Sequence, residues 1–223
     1  MPDVGLDAVL ARIRAAEAAH GRAPGAVSLL AASKQQDPAT IRRTAAAGQR
    51  AFGENYVQEA LPKMAALRDL DLNWHFIGRI QRNKTRDIAA HFDWVHTLDR
   101  LDIARRLSAQ RPADRPPLQV LIEVNVSGES SKGGLPPEEV AGFAAALRDL
   151  PGLALRGLMC LPAPEDDFAR QRVAFARLRD LLVGLGDPAL DTLSMGTSSD
   201  LEAAIAEGAT LVRVGTAIFG ARA

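Results

Sequence analysis

The chain has 223 residues, of which 47% are hydrophobic and 24% are charged, which is the composition of an ordinary soluble globular protein. Its 27 basic and 27 acidic residues give a net charge of zero, so no global field favours nucleic acid or an anionic membrane. A single cysteine, Cys160, excludes an intramolecular disulfide and any metal site built from several cysteines.

The first predicted element is an amphipathic helix over residues 5–20. It carries Asp7 and Glu17 and has no long apolar core, which is not typical of a signal peptide or a membrane anchor. No stretch of the chain has the run of about 20 apolar residues that a membrane-spanning helix needs. We therefore expect a cytoplasmic protein without a membrane partner.

Eight short β-rich runs follow, separated by segments with apolar residues at helical spacing. The runs cover residues 26–33, 50–55, 73–78, 94–99, 118–127, 153–161, 192–196 and 211–220. Strand–helix alternation implies parallel strands joined by right-handed crossovers. The predicted fold is a single α/β domain over residues 1–223, a (β/α)8 TIM barrel over 26–223 preceded by a leading helical segment over 1–25. An open doubly wound sheet is the alternative.

Polar residues are concentrated at the predicted C-terminal ends of these strands. In a TIM barrel the functional residues lie at these ends, although loops begin with polar residues in any case. The residues at these positions are Ser33, Lys34, Glu54, Asn55, His75, His96, Asp99, Asn125, Arg213, Gly215 and Thr216. Polar residues gathered at one end of the barrel are what a binding or catalytic site requires.

Lys34 follows the apolar run of the first strand in "SLLAASKQQD". Two interpretations are open, because lysine is almost never buried without a partner. Lys34 is either the first solvated residue of the loop or a chemical group aimed into a pocket.

Two loops near the end of the chain are rich in Gly, Ser and Thr, in "MGTSSD" over 195–200 and "VGTA" over 214–217. Their backbone N–H groups and hydroxyls suit an anion, and TIM barrels often bind phosphate with the loops after strands 7 and 8. The alternative is that Ser199 or Asp200 only caps the following helix.

Arg213 lies between Val212 and Val214 in an apolar strand. A buried guanidinium needs a carboxylate or a planar acceptor, so Arg213 either pairs with an acid such as Glu123 or faces a ligand ring nitrogen. A lysine, a phosphate cradle and an arginine together describe a site for pyridoxal 5′-phosphate (PLP).

The sequence resembles the pyridoxal phosphate homeostasis protein family, whose members look like the barrel domain of alanine racemase standing alone. The matching stretches are collinear from about residue 26: "AASK", "FGENYVQEA", "WHFIGRIQRNK", "VHTLDRLDIARRL", "VLIEVNVSGESSKGG", "GLMCLPAP" and "LSMGTSSDLEAAIAEGATLVRVGTAIFGAR". Two departures are "QQD" after Lys34, where a Thr-containing turn is more usual, and Thr197, where methionine is common.

The resemblance implies that PLP is held as a Schiff base on Lys34, that Arg213 faces the pyridine nitrogen and that Asn55 lines the site. It also implies a phosphate site, and the predicted cofactor-binding set is completed by Met195, Ser198, Gly215 and Thr216.

The resemblance further implies intracellular PLP homeostasis and delivery, with effects on amino-acid and keto-acid balance and no robust catalysis. An arginine at the pyridine nitrogen disfavours its protonation, which weakens carbanion chemistry. The alternative is a PLP-dependent amino-acid racemase, which needs an acid or base on both faces of the substrate α-carbon. We predict that the only tyrosine, Tyr56, packs or caps a helix. A monomer is expected, and PLP-dependent client enzymes are candidate partners.

A basic cluster follows the third strand and comprises Arg79, Arg82, Lys84 and Arg86. It is either a solvated loop and helix start or a surface that receives anions or a client enzyme at the barrel mouth, and with zero net charge nucleic acid is not expected. The four histidines are scattered, and although His75 and His96 lie on neighbouring strands, no metal site is predicted.

Overall fold

The computed structural model describes residues 4–129 and 133–220. Residues 1–3, 130–132 and 221–223 lie outside the described part of the chain. With them fall the start of the predicted leading segment, the "SSK" of "SGESSKGG" and the last residues of the final matching stretch.

The described residues form eight strands that close into a parallel barrel. The strands are β1 Ser28–Ala32, β2 Ala51–Glu54, β3 Asn73–Phe76, β4 Trp94–Leu98, β5 Leu118–Glu123, β6 Leu153–Met159, β7 Thr192–Ser194 and β8 Leu211–Val214. Each strand pairs in parallel with the next, and β8 pairs with β1. The predicted (β/α)8 TIM barrel is confirmed, and the open doubly wound sheet is excluded.

Helices alternate with the strands around the outside. They are α1 Val4–Ala19, α2 Pro38–Ala46, α3 Val57–Ala66, α4 Thr85–His91, α5 Leu101–Gln110, α6 Val140–Arg148, α7 Phe168–Gly184, α8 Leu201–Ala206 and α9 Thr216–Phe219. Short 3-10 turns occupy Arg82–Lys84 and Pro137–Glu139. None of the described helices is both long and apolar enough to span a membrane.

The leading helix α1 fills the position expected for the eighth outer helix. It packs against α8 and α9 through an apolar stripe at helical spacing, formed by Leu6, Val9, Ile13 and Ala16. At its C-terminal end the Glu17 carboxylate accepts hydrogen bonds from the amides of Gly25 (3.1 Å) and Val27 (2.8 Å). This contact fixes the path of the chain into β1.

The observed strands all end before the predicted runs do, six of them by one or two residues and two of them by four or more. The run 211–220 was expected to be one strand, but β8 stops at Val214 and the amides of Ile218 and Phe219 both donate to Gly215 O at 2.9 Å, which starts α9. The run 118–127 stops at Glu123, because Glu123 O accepts from the amide of Leu135 (2.8 Å) instead of continuing the ladder. In both cases the backbone partner, rather than the side-chain pattern, ends the strand.

The core has two layers. Apolar side chains fill the space between the strands and the outer helices, where Ser33 and Glu54 are also buried beside Lys63 of α3. The barrel interior holds further buried polar groups: His75, His96, Ser194 and Arg213. Buried polar groups need hydrogen-bond partners, so this interior is where a site is expected.

Candidate functional site

A cavity of about 540 Å³ opens at the C-terminal ends of the strands. Six of the seven predicted cofactor-binding residues line it: Lys34, Asn55, Ser198, Arg213, Gly215 and Thr216. The seventh, Met195, is fully buried in the hydrophobic core, and its amide donates to Leu211 O at 3.1 Å. Its side chain is not part of the cavity wall, so it contacts the site only through the loop that it starts.

Lys34 is half-buried and lies in a tight turn after β1. The turn is closed by a hydrogen bond of 3.0 Å from Gln36 N to Ser33 O, and Gln35 has a φ of 63°, a left-handed conformation that L side chains adopt rarely. Asp37 then caps α2 by accepting from Thr40 N at 2.6 Å, which fixes the far side of the turn. Lys34 therefore lies at the cavity wall rather than on an open loop.

A buried ion pair lies behind this turn. Lys63 Nζ is 2.9 Å from both carboxylate oxygens of Glu54 and 3.0 Å from Ser33 O, and the Ser33 hydroxyl donates to Glu54 Oε1 at 2.6 Å. Burial raises the pKa of the Glu54 carboxyl, and the hydrogen bonds from Ser33 and Lys63 oppose that rise. The sequence reasoning placed Glu54 at a strand end but assigned Lys63 no role.

Arg213 is buried in β8, the strand that pairs with β1. Its hydrogen-bond acceptors are all uncharged oxygens. Nη1 donates to the carbonyl and the hydroxyl of Ser194, both at 2.7 Å, and Nη2 donates to Cys160 O at 2.9 Å. Within residues 4–129 and 133–220 it makes no contact ion pair, so the predicted structural pair with Glu123 does not form, although the two charges still attract each other. Three of the five guanidinium N–H groups are used, which leaves two for a ligand.

A hydrogen-bonded chain continues from Arg213 through the barrel. Ser194 Oγ lies 2.9 Å from His96 Nδ1, and His96 Nε2 lies 2.9 Å from His75 Nδ1. Burial lowers the pKa of His75 to about 3 and that of His96 well below its usual value, so both rings are neutral.

The direction of this chain follows from counting protons. If Ser194 donates to His96 and His96 to His75, only the His75 Nε2–H group lacks a partner within the described residues. The reverse direction leaves the Ser194 proton unpaired as well. The chain therefore runs from Arg213 to His75, which orients the Ser194 hydroxyl so that it accepts from Arg213.

The Thr197–Asp200 loop follows β7, and its first three residues, Thr197, Ser198 and Ser199, line the cavity. Asp200 Oδ1 accepts from the Thr197 amide (2.6 Å) and hydroxyl (2.8 Å), and the Asp200 amide donates back to Thr197 O (3.3 Å). Asp200 occupies the N-cap position of α8, as the capping alternative predicted, but its side chain bonds to Thr197 and makes no cap bond to the helix. In the described part of the chain the amides of Ser198 and Ser199 donate to no protein acceptor, as an anion site requires.

Asn55 lies beside Lys34 at the cavity wall, and its Oδ1 is buried with no partner among the described residues. Gly78 packs against its backbone so closely that a Cβ there would lie 2.1 Å from Asn55 O. Only glycine permits this approach, which fixes Asn55 at the end of β2.

Glu123 is a further cavity residue, and its carboxyl titrates near neutrality. Burial and the neighbouring Asp99 carboxylate raise its pKa to about 7, and the positive charges of Arg213 and Arg79 partly oppose this rise. The charge of the cavity therefore changes close to pH 7.

The other predicted features lie outside the cavity. Arg79 and Lys84 line a smaller adjoining cavity of about 160 Å³, and Arg82 and Arg86 are exposed. Tyr56 occupies the predicted cap position, the N-cap of α3, where its carbonyl accepts from the amides of Glu59 (3.2 Å) and Ala60 (3.0 Å), but its side chain makes no cap bond and the residue is 56% exposed. His75 and His96 bond to each other, and no group of three metal-ligating side chains occurs among the described residues.

Comparisons with known proteins agree with this geometry. The model of the family "Alanine racemase, N-terminal domain" matches residues 4–223. The pyridoxal phosphate homeostasis protein of Pseudomonas aeruginosa is 62% identical over 214 residues, covering 96% of this chain and 93% of that protein. Its Escherichia coli K12 counterpart is 51% identical over 216 residues, with 95% and 92% covered.

Solved structures give the same result. PipY from Synechococcus elongatus with PLP bound has a TM-score of 0.82 and 38% identity, covering 93% of this chain and 100% of that one. Alanine racemase from Corynebacterium glutamicum shares the fold with a TM-score of 0.68 and 21% identity, covering 97% of this chain and 61% of the racemase. The chain belongs to the pyridoxal phosphate homeostasis protein family.

Proposed function

We propose that this chain binds PLP in the cavity at the C-terminal ends of the strands and acts in PLP homeostasis as a carrier. The observation that carries the proposal is that one cavity gathers Lys34, the uncommitted donors of Arg213, the unpartnered Asn55 Oδ1 and the Thr197–Asp200 loop. Its volume of about 540 Å³ is in the range for small-molecule sites. Relatives named for PLP homeostasis and a PLP-bound structural neighbour support the same ligand.

The residues present fit the chemical groups of PLP. The Lys34 amine suits the aldehyde, a remaining N–H of Arg213 suits the ring nitrogen, and Asn55 Oδ1 suits the donor of the ring hydroxyl. The phosphate is assigned to the two loops through Ser198, Gly215 and Thr216. When bound, PLP supplies an aldehyde that condenses with a lysine amine, and we assign that covalent bond, a Schiff base, to Lys34.

Arg213 favours storage of the cofactor over its use in catalysis. Because a guanidinium stays protonated and donates its hydrogen bonds, it disfavours a proton on the acceptor that it faces. The chain from Ser194 to His75 is neutral and offers no acid in place of Arg213. We propose a monomeric, cytoplasmic carrier that delivers PLP to PLP-dependent client enzymes.

The absorbance spectrum of the protein reconstituted with PLP, recorded before and after borohydride, tests this proposal. In the wild type we expect a Schiff-base band that borohydride removes, with the cofactor trapped on the peptide that contains Lys34. Lys34→Ala should lose this trapping, whereas the control Lys84→Ala, a lysine outside the cavity, should retain it. A wild-type protein that takes up no PLP would overturn the proposal.

Amino-acid turnover decides between a carrier and a racemase. We expect no turnover of L-amino acids by the reconstituted protein at ordinary enzymatic rates of about 1 s⁻¹ or more. Deuterium uptake from solvent at the α-carbon at such a rate, abolished in Lys34→Ala, would instead establish the racemase.

A further inference from the structure

The buried pair of Glu54 and Lys63 is not needed for any contact assigned above to PLP. Glu54 is 0% exposed and Lys63 is 7% exposed, so both charges lie out of the water. Lys63 directs two of its three N–H groups at the Glu54 carboxylate, one to each oxygen at 2.9 Å. A buried ion pair is costly to desolvate and is weak evidence for a stabilising role. The location of the pair, next to the turn that carries Lys34, is therefore a better guide to its role than its energy.

The third N–H of Lys63 points to the turn that carries Lys34. It donates to Ser33 O at 3.0 Å, the same oxygen that accepts the Gln36 amide at 3.0 Å and so closes the turn. The Ser33 hydroxyl donates to Glu54 Oε1 at 2.6 Å. The carbonyl and the hydroxyl of Ser33, the residue preceding Lys34, are thus both bonded to the ion pair.

The turn needs such support because its backbone is strained. Gln35, the residue after Lys34, has a φ of 63° and is the non-glycine residue with positive φ in the described part of the chain. Strained residues of this kind persist only where their surroundings over-determine the conformation. Without the bonds to Ser33, the turn is free to relax to a negative φ and to carry Lys34 with it.

The Glu54–Lys63 pair also supports Asn55, the cavity residue that follows β2. Glu54 is the last residue of β2 and directly precedes Asn55, whose Oδ1 is unpartnered in the described residues. One buried pair thus joins the ends of β1 and β2, where Lys34 and Asn55 enter the cavity.

We propose that Glu54 and Lys63 are positioning residues that hold the turn over residues 33–36 in the conformation that presents Lys34 to the cavity. The identity of what Lys34 then binds rests on the function proposed above. The pair acts through Ser33 and touches no ligand itself.

The first test needs no cofactor. We expect the Gln36 amide of Lys63→Met to exchange with deuterium at least about tenfold faster than in the wild type, because the turn loses one of the bonds that hold it. The Asp200 amide, which closes a turn on the far side of the cavity, should keep its rate. Adding Gln35→Gly should restore protection of Gln36, since glycine accepts a positive φ. An unchanged Gln36 rate, or a Gln36 rate raised equally with that of Asp200, would overturn the proposal.

The second test separates lysine positioning from general damage to the cavity. We expect Lys63→Met to weaken PLP binding by about tenfold or more, and to weaken binding of 4′-deoxypyridoxine 5′-phosphate, which lacks the aldehyde, by no more than about twofold. The control variant Lys84→Met, at a lysine that does not line the PLP cavity, should bind both ligands as the wild type does. Equal losses for the two ligands would show that the pair merely supports the fold.

A replacement variant covers the case in which Lys63→Met does not fold, and the exchange test covers the case in which the wild type binds no PLP. If Lys63→Met does not fold, Glu54→Gln with and without Gln35→Gly takes its place, because the amide retains the shape but not the charge. If the wild type binds no PLP, the proposed function fails, and the Gln36 exchange rates still decide the positioning role.

Discussion

Two cations are buried in the described part of the chain, Lys63 on the inward face of α3 and Arg213 inside the barrel, and their surroundings differ. The Lys63 ammonium donates two hydrogen bonds to the Glu54 carboxylate and the third to the Ser33 carbonyl, so all three of its N–H groups are used. Arg213 bonds to two carbonyls and one hydroxyl and keeps two donors for the cavity that it lines. One cation is saturated by the protein and the other is not.

The difference separates a structural cation from a ligand-binding one. A buried charge without a counterion is tolerated only where other groups or a ligand solvate it. Removing Lys63 should therefore act mainly on the free energy of unfolding, and removing Arg213 mainly on ligand affinity. The following predictions test this contrast, starting with the largest effect.

Lys63→Met should lower the free energy of unfolding by about 3–5 kcal/mol at pH 7, because it leaves the Glu54 carboxylate buried and unpaired. Chemical denaturation measures the loss. It should shrink as the pH falls, since protonation then neutralises Glu54. The matched control is the double variant Lys63→Met with Glu54→Gln, which should recover a large part of the loss. A double variant as unstable as the single one would assign the effect to packing rather than to charge.

Arg213→Leu should raise the Kd for PLP by about a hundredfold, equivalent to about 2.7 kcal/mol, because the cavity loses its uncommitted donors. The free energy of unfolding should fall by less, about 1–2 kcal/mol, as the carbonyls of Ser194 and Cys160 lose a donor while an uncompensated charge is removed. Arg213→Lys keeps the charge without the planar fork and should lie between. Unchanged affinity with a large loss of stability would make Arg213 a purely structural residue.

Glu123→Gln tests the acidic side of the cavity. Its pKa is raised from 4.5 to about 7, so the folded chain keeps a proton that the unfolded chain loses between these values. The contribution to stability is full below pH 4.5 and is lost as the pH rises through 7. The variant should be about 1–2 kcal/mol more stable than the wild type at about pH 8 and no more stable at about pH 4.

Denaturation curves across that pH range measure the effect, and the exposed Glu138→Gln should leave the pH dependence unchanged. The wild-type affinity for the anionic cofactor should also fall more steeply with rising pH than that of Glu123→Gln. Parallel curves for the two proteins would contradict the raised pKa.

Arg12→Gln should have the smallest effect, about 0.2–1 kcal/mol in stability, because its ion pair with Glu202 (2.8 Å) is only half-buried. Arg12 Nη2 also donates to Ser198 O at 3.0 Å, so PLP affinity should fall by roughly threefold. The exposed pair of Arg42 and Asp69 is the control, and Arg42→Gln should leave affinity unchanged. Equal effects of the two variants on PLP affinity would show that Arg12 does not support the Thr197–Asp200 loop.

The barrel was predictable because strand–helix alternation is a property of the whole chain. The ends of β5 and β8 were not, since "VNVS" and "TAIF" continue the apolar pattern of their strands. What ends them is a backbone hydrogen bond, from Leu135 to Glu123 and from Ile218 to Gly215. Such bonds join segments that no local pattern relates.

In the site, Lys34 and Arg213 were predictable because each is a charge at an apolar strand end. Lys63 was missed because its partner Glu54 precedes it by nine residues, across the start of α3. A signal was present: Lys63 lies on the stripe of Val57 and Ala60 that faces the core. The chain from Ser194 to His75 could not be foreseen, because it depends on the register of three strands.

Lys34 follows the first strand and Arg213 lies in the last one, and these two strands are neighbours in space because Leu30 pairs with Arg213 in the closing ladder. The cavity therefore does not exist until the final strand has been added, and α1 docks against residues about 190 positions later in the chain. A ligand that contacts both Lys34 and Arg213 links the first strand to the last one. Occupancy should slow the opening of the barrel, so that resistance to proteolysis reports how much cofactor the protein holds.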